Sequence, residues 1–220
     1  MKKGFTLAEV LITLSVIAVV ALMTIPSIIK NYRYKLFAAT LKQTVSQLED
    51  AIKSSMADEH ATTFVQSTGG LSNNCTTGHE TGPCYLFAKY LKTTLTCSGS
   101  SDVRCMAANY KSLKGDATRP MWGAHRCGKL PNGATVCMVY NDFGMNSITH
   151  VAIDVNGPDY PNIIGVDLFS VRISPSGQIV DGNDNKDNCG VNTSSNNHVL
   201  DYASGCFTKV LENNWTITDK

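Results

Sequence analysis

The chain of 220 residues has no Cys-x-x-Cys pair, which removes the tight thiolate spacing on which structural zinc sites are built. It has no His-Glu-x-x-His, Gly-x-Ser-x-Gly, phosphate-loop or dinucleotide pattern. Its five histidines, at 60, 79, 125, 150 and 198, are scattered, so no familiar catalytic constellation is in place and the reading is non-enzymatic. Net charge is only +1, and no basic run is concentrated anywhere, so no specific nucleic-acid affinity is evident. Cysteine is missing from the first 74 residues, and neither glycine nor proline occurs between Pro26 and Gly69. With 43% hydrophobic and 17% charged residues, wholesale disorder is excluded.

What is present divides the chain in two. Residues 1–58 hold seven Lys/Arg against four Asp/Glu, a mildly basic stem, whereas the remainder is near neutral. All eight cysteines (Cys75, Cys84, Cys97, Cys105, Cys127, Cys137, Cys189, Cys206) lie in that remainder, a region rich in Gly, Ser, Asn and Thr. An even count behind an export-type N-terminus predicts disulfides formed in an oxidising compartment, and so an extracytoplasmic head.

The apolar run from Phe5 to Ile29 is long enough to span a bilayer core of about 30 Å. It carries one carboxylate, Glu9, near its start. A cleaved secretory signal would use Lys2 and Lys3 and a cut near Ala21, but has no place for Glu9. A plain membrane anchor leaves Glu9 equally unexplained, since a carboxylate is costly in lipid.

The string KKGFTLAEVLITL resembles the leader and first helix of type IV pilins and type II secretion pseudopilins. The resemblance implies cleavage by a prepilin peptidase after Gly4, N-methylation of the new terminus at Phe5, and a role for Glu9 in neutralising the terminal amine of a neighbouring subunit. An ammonium and a carboxylate that are each expensive in lipid offset part of that cost when paired across subunits. It also implies a structural subunit of a pilus-like or secretion pseudopilus filament. Its partners would be copies of itself or sibling pilins, the peptidase, membrane lipid, and an inner-membrane platform with its ATPase. Localisation would be single-pass in the inner membrane with the head extracytoplasmic, then in a periplasmic pseudopilus or on the cell surface. The alternative is a singly anchored extracytoplasmic binding or adhesion domain that never assembles.

Beyond the apolar run, Phe37, Leu41, Val45, Leu48, Ile52 and Met56 recur at spacings of three and four, the mark of one buried helix face. One helix is therefore predicted from Thr6 to Asp58, with a kink or local melting near Pro26. The predicted organisation is a leader (1–4), an apolar filament-core helix (5–29), an amphipathic helix half (30–58) and a globular head (59–220).

In the head, Pro83–Leu95 reads as a short helix, and strands are predicted at 134–140, 148–155, 168–174 and 178–180. The fold class is α+β: a long helix laid on an antiparallel sheet of about four strands, as in pilins, with disulfide-stapled loops. Asn132-Gly133 is a hairpin turn signal that sets Cys127 opposite Cys137. Sequential pairing is expected for the rest: Cys75–Cys84, Cys97–Cys105 and Cys189–Cys206. Residues 201–215 read as a further short helix.

The string DVNGPDYPNIIGVDLF groups Asp154, Asn156, Asp159 and Asp167, oxygen ligands dense enough for calcium, although Asx, Gly and Pro are also what turns are made of. Some pseudopilins bind calcium in loops of the sheet region, and related pilin-like chains carry a comparable string. Asp181, Asn183, Asn185 and Asp187 alternate like half an EF-hand loop, but Lys186 and Asn192 stand where glycine and glutamate are required. Apart from calcium, no cofactor is expected.

Overall fold

The computed structural model describes residues 4–70, 82–99, 102–113, 124–139, 149–182, 185–191 and 199–218. Helix α1 spans Leu7–Asp58, 52 residues and about 78 Å of rise. It passes through Pro26 without interruption, so the local melting expected there is absent. Its first half and its second half meet different surroundings. From Leu7 to Arg33 every residue but Ala21 is exposed, whereas Phe37, Leu41, Val45, Leu48 and Ile52 are buried and Met56 is partly so.

The sheet has six strands rather than about four: β1 (Leu95–Cys97), β2 (Ala124–Lys129), β3 (Thr135–Val139), β4 (Thr149–Asp154), β5 (Leu168–Ile173) and β6 (Ile179–Asp181). They pair antiparallel in sequence order, an uninterrupted meander. The last four match the predicted strands. The first two were missed because β1 is only three residues long and Ala124–Lys129 has no β-branched side chain. Pro83–Lys89 forms helix α2, and the chain then extends into β1 where the helix had been expected to continue. Two helices close the head, α3 (Val199–Ala203) and α4 (Cys206–Glu212), in place of one.

Side chains alternate across the sheet. Val136, Met138, Val151, Ile153, Phe169 and Val171 lie on one face and join the buried stripe of α1 in a single core. The β2–β3 turn is tied to the stem by the Asn132 amide, which donates to the Thr44 hydroxyl at 3.0 Å. The opposite face carries smaller and more polar groups: Thr135, Cys137, Ala152, Asp154 and Ser170. Cys127 and Cys137 are direct cross-strand partners and form a disulfide. Cys97–Cys105 and Cys189–Cys206 are also joined as expected. Cys84 is disulfide-bonded, and its expected partner Cys75 lies outside the described residues.

Candidate functional site

At the N-terminus the chain is open. Phe5 is 88% exposed, and among the described residues no atom lies near the space a side chain at Gly4 would fill. Thr6 caps α1. Its hydroxyl accepts from the Glu9 backbone N–H at 3.3 Å, and one Glu9 carboxylate oxygen accepts from the Thr6 N–H and the Thr6 hydroxyl, each at 2.8 Å. This is a capping box, and it satisfies helix-end donors that lipid would leave unpaired. The Thr-x-x-Glu signal for such a box stands in the sequence at Thr6 and Glu9. Glu9 thus has a hydrogen-bonding partner within its own chain.

The helix behind it is apolar on all sides. Leu7, Leu11, Leu14, Ile17, Leu22 and Ile28 are each more than half exposed. A helix with no polar face belongs in lipid or inside a bundle of helices. By length and composition, α1 is able to cross a membrane.

The aspartates of the 154–167 loop divide into two kinds. Asp154, at the end of β4, is fully buried, and its carboxylate accepts from the Tyr110 hydroxyl at 2.5 Å and the Asn156 N–H at 3.2 Å. Asp167 is likewise buried and accepts from the backbone N–H groups of Asn162 and Ile163, at 2.6 Å each. Burial, reinforced by the charge of Asp167, raises the Asp154 carboxyl well above the usual aspartate range. Burial likewise pushes Asp167 up to about 7, against the pull of its backbone donors. The Tyr110 hydroxyl is raised too, by burial first and then by the Asp154 charge beside it. Two carboxyl groups in one dry site resist double ionisation, so this pair holds a proton more tightly than exposed aspartates do.

Asp159 does not join them. Its side chain is exposed, and only its backbone carbonyl takes part, accepting from the Asn156 amide, which also donates to the Tyr160 carbonyl at 3.1 Å. Of the four residues expected as a calcium set, Asp159 thus brings only its backbone carbonyl to the turn. Among the described residues, no group of three or more His, Cys, Asp or Glu side chains is placed to hold a metal ion. The Oδ1 atoms of Asn156 and Asn162 are buried without a hydrogen-bond partner among the described residues. The arrangement these contacts build is a clamped turn: Asp167 grips the backbone after Pro161, and Asn156 grips the backbone before it.

Gly165 in the same string has φ +79°, and a Cβ there would stand 2.7 Å from the Cys189 sulfur and 2.9 Å from that of Cys206. Glycine lets the loop press directly on the C-terminal disulfide. Asp181, placed in an EF-hand-like half-loop by its spacing, instead accepts from the backbone N–H groups of Gly205 at 2.7 Å and Thr208 at 2.6 Å, at the start of α4. Asn185 caps a short 3-10 turn over Lys186–Asn188, and Asn183 lies outside the described residues.

No curated protein and no solved structure matches the chain. A family model does match at the N-terminus, over residues 1–25. The open Gly4–Phe5 junction, the capped Glu9 and the all-apolar helix start lie within that stretch. The chain thus carries the prokaryotic N-terminal methylation motif, the signature of type IV pilins and pseudopilins.

Proposed function

We propose that this chain is a structural subunit of a type IV pilus-like or type II secretion pseudopilus filament. It is cleaved after Gly4 by a prepilin peptidase, methylated at Phe5, and stored in the inner membrane with its head extracytoplasmic. The observation that carries this reading is the exposed apolar half of α1, which opens at the methylation motif and ends where the head begins. Stacked side by side with copies of itself or with sibling pilins, that surface becomes a helical core, and contacts of this heterologous kind propagate without closing. An inner-membrane platform and its ATPase would drive extraction from lipid.

Glu9 gives assembly its register. In the monomer its carboxylate is held by Thr6. In a filament, the methylated ammonium at Phe5 of a neighbour offers a charged partner, a stronger acceptor–donor match than a neutral hydroxyl. The Asp154–Asp167 pair acts as a loop clamp in the head, with no calcium needed for its hydrogen bonds.

The test is Glu9→Val in cells that make the filament. Normal membrane insertion with loss of material from the sheared surface or pseudopilus fraction is expected. Unchanged assembly would favour the alternative, an anchored binding or adhesion domain whose helix never stacks.

A further inference from the structure

The base of the head holds a site for which the filament reading has no use. The head exposes three large apolar side chains among its described residues, Val103, Tyr160 and Leu211. Two of them, Val103 and Tyr160, line one surface groove. Tyr160 is 84% exposed, although the turn that carries it is held on both sides. Asn156 binds the Tyr160 carbonyl, Asp167 binds the backbone of Asn162 and Ile163, and the Lys111 N–H donates to the Asn162 carbonyl at 3.0 Å. A rigid turn that presents an aromatic ring outward calls for something to receive it.

The next residue shows where the turn is. Pro161 lines a second groove, of about 480 Å³, whose other wall is the stem at Ile25, Pro26, Ile29, Lys30 and Arg33. From Glu9 to Ile29 the helix rises about 30 Å, the thickness of a hydrocarbon core. With Glu9 at one interface, Lys30 and Arg33 reach the headgroups of the other, and Pro161, next in sequence to Tyr160, lines the groove with them. Tyrosine favours that depth, where its ring is in contact with lipid and its hydroxyl with water.

We propose that this groove binds an anionic phospholipid headgroup, with the phosphate at Lys30 and Arg33, the acyl chains along Ile25–Ile29, and the Tyr160–Pro161 turn seated on the membrane surface. Lys30 and Arg33 complement the phosphate of an anionic lipid in the leaflet on the head side, and the groove is continuous with the membrane-spanning surface. The inference rests on the membrane-stored state of the subunit and not on its assembly. It gives the Asp154–Asp167 clamp a purpose: to hold the turn against the bilayer and fix the angle at which the head stands on it.

The test places the full chain, one copy per disc, in nanodiscs of dioleoylphosphatidylglycerol or of dioleoylphosphatidylcholine. Hydroxyl-radical labelling of Tyr160 is expected to fall several-fold in the phosphatidylglycerol discs relative to the phosphatidylcholine discs. The Lys30→Gln/Arg33→Gln double variant, altered only at exposed positions, is expected to lose that difference. In discs of both lipids, native mass spectrometry is expected to show phosphatidylglycerol retained on the wild type, with about a fivefold weaker preference for each basic residue removed. Equal labelling in the two lipids, or protection that survives in the double variant, would overturn the site. Protection that appears only in discs holding two chains would overturn it as well, and would assign the turn to a neighbouring subunit.

Discussion

The side chains of Tyr110 and Asp154 meet across 44 residues of sequence, the phenol donating to a carboxylate that is wholly buried. The same hydroxyl accepts from the Ala107 N–H at 3.1 Å. One oxygen atom therefore ties the segment after the Cys97–Cys105 disulfide to the end of β4. Removing it with Tyr110→Phe leaves Asp154 and the Ala107 N–H short of a partner. A loss of about 1–3 kcal/mol in the stability of the full chain in detergent is expected. Chemical denaturation checks it, and a loss below about 0.5 kcal/mol would place the bond outside the energetics of the head.

Asp167 sets a pH dependence. Its carboxyl is raised in the folded head, from the ordinary aspartate value to about 7. Between those values the folded state binds the proton that the unfolded chain has released, so stability is highest in acid and is lost as pH rises through about 7. Asp154, raised in the same direction, adds to the trend. The melting temperature of the full chain is expected to drop by several degrees between pH 5 and pH 8, and Asp154→Asn is expected to flatten the profile. A melting temperature that climbs over that range would reverse the assignment.

The contacts of the same clamp all run between groups of the chain itself. Its carboxylates are engaged by Tyr110 and by backbone N–H groups, and Asp159 stands apart. The melting temperature is expected to be the same in excess chelator and in millimolar calcium. A clear rise with calcium would instead place the ion on the two buried aspartates and the unpartnered Oδ1 atoms of Asn156 and Asn162.

Gly165→Ala tests how closely the loop is pressed onto the C-terminal staple. The added methyl group meets both sulfurs of Cys189–Cys206 at less than 3.0 Å, at a φ that side chains disfavour. A cost of about 2–3 kcal/mol is expected from the combined overpacking and backbone strain. Melting of the variant beside the wild type measures it, and a neutral result would mean that the loop and the disulfide are farther apart than this.

How much of this was legible in the chain depends on the range of the interaction. The stem was readable because spacings of three and four from Phe37 to Met56 are local, and the burial of that stripe follows them. Strands β3 to β6 announced themselves by β-branched runs, and the Asn132-Gly133 turn placed Cys127 opposite Cys137. Strand β2 is held by its register with β3 rather than by its own composition, so AHRCGK gave no sign of it. At the acidic loop the residue types were visible, but their separation into two buried aspartates and one exposed was not. That depends on Tyr110, brought in from a distant segment. Asp181 shows the same limit: its spacing matches half an EF-hand loop whose other requirements fail, and only the fold reveals that it caps α4. At the N-terminus the motif was fully local, and the family match covers that same stretch, residues 1–25.

The capping box is the most local of these features. Thr6→Val removes the hydroxyl that Glu9 both accepts from and donates to. About 1 kcal/mol of helix-start stability should be lost, read as faster hydrogen exchange at the first turn of α1 in micelles. Exchange unchanged at Glu9 would mean that the cap contributes nothing in a membrane-like solvent.

The central claim, a subunit processed at Gly4 for assembly, is tested most directly by intact mass and N-terminal sequence of the protein from membranes and from sheared surface material. A mature chain that begins at N-methylated Phe5 is the predicted result. Its presence in the sheared fraction would mark a pilus subunit, and its confinement to membranes a pseudopilin or minor subunit. A chain that still begins at Met1, or one cut near Ala21, would contradict the account.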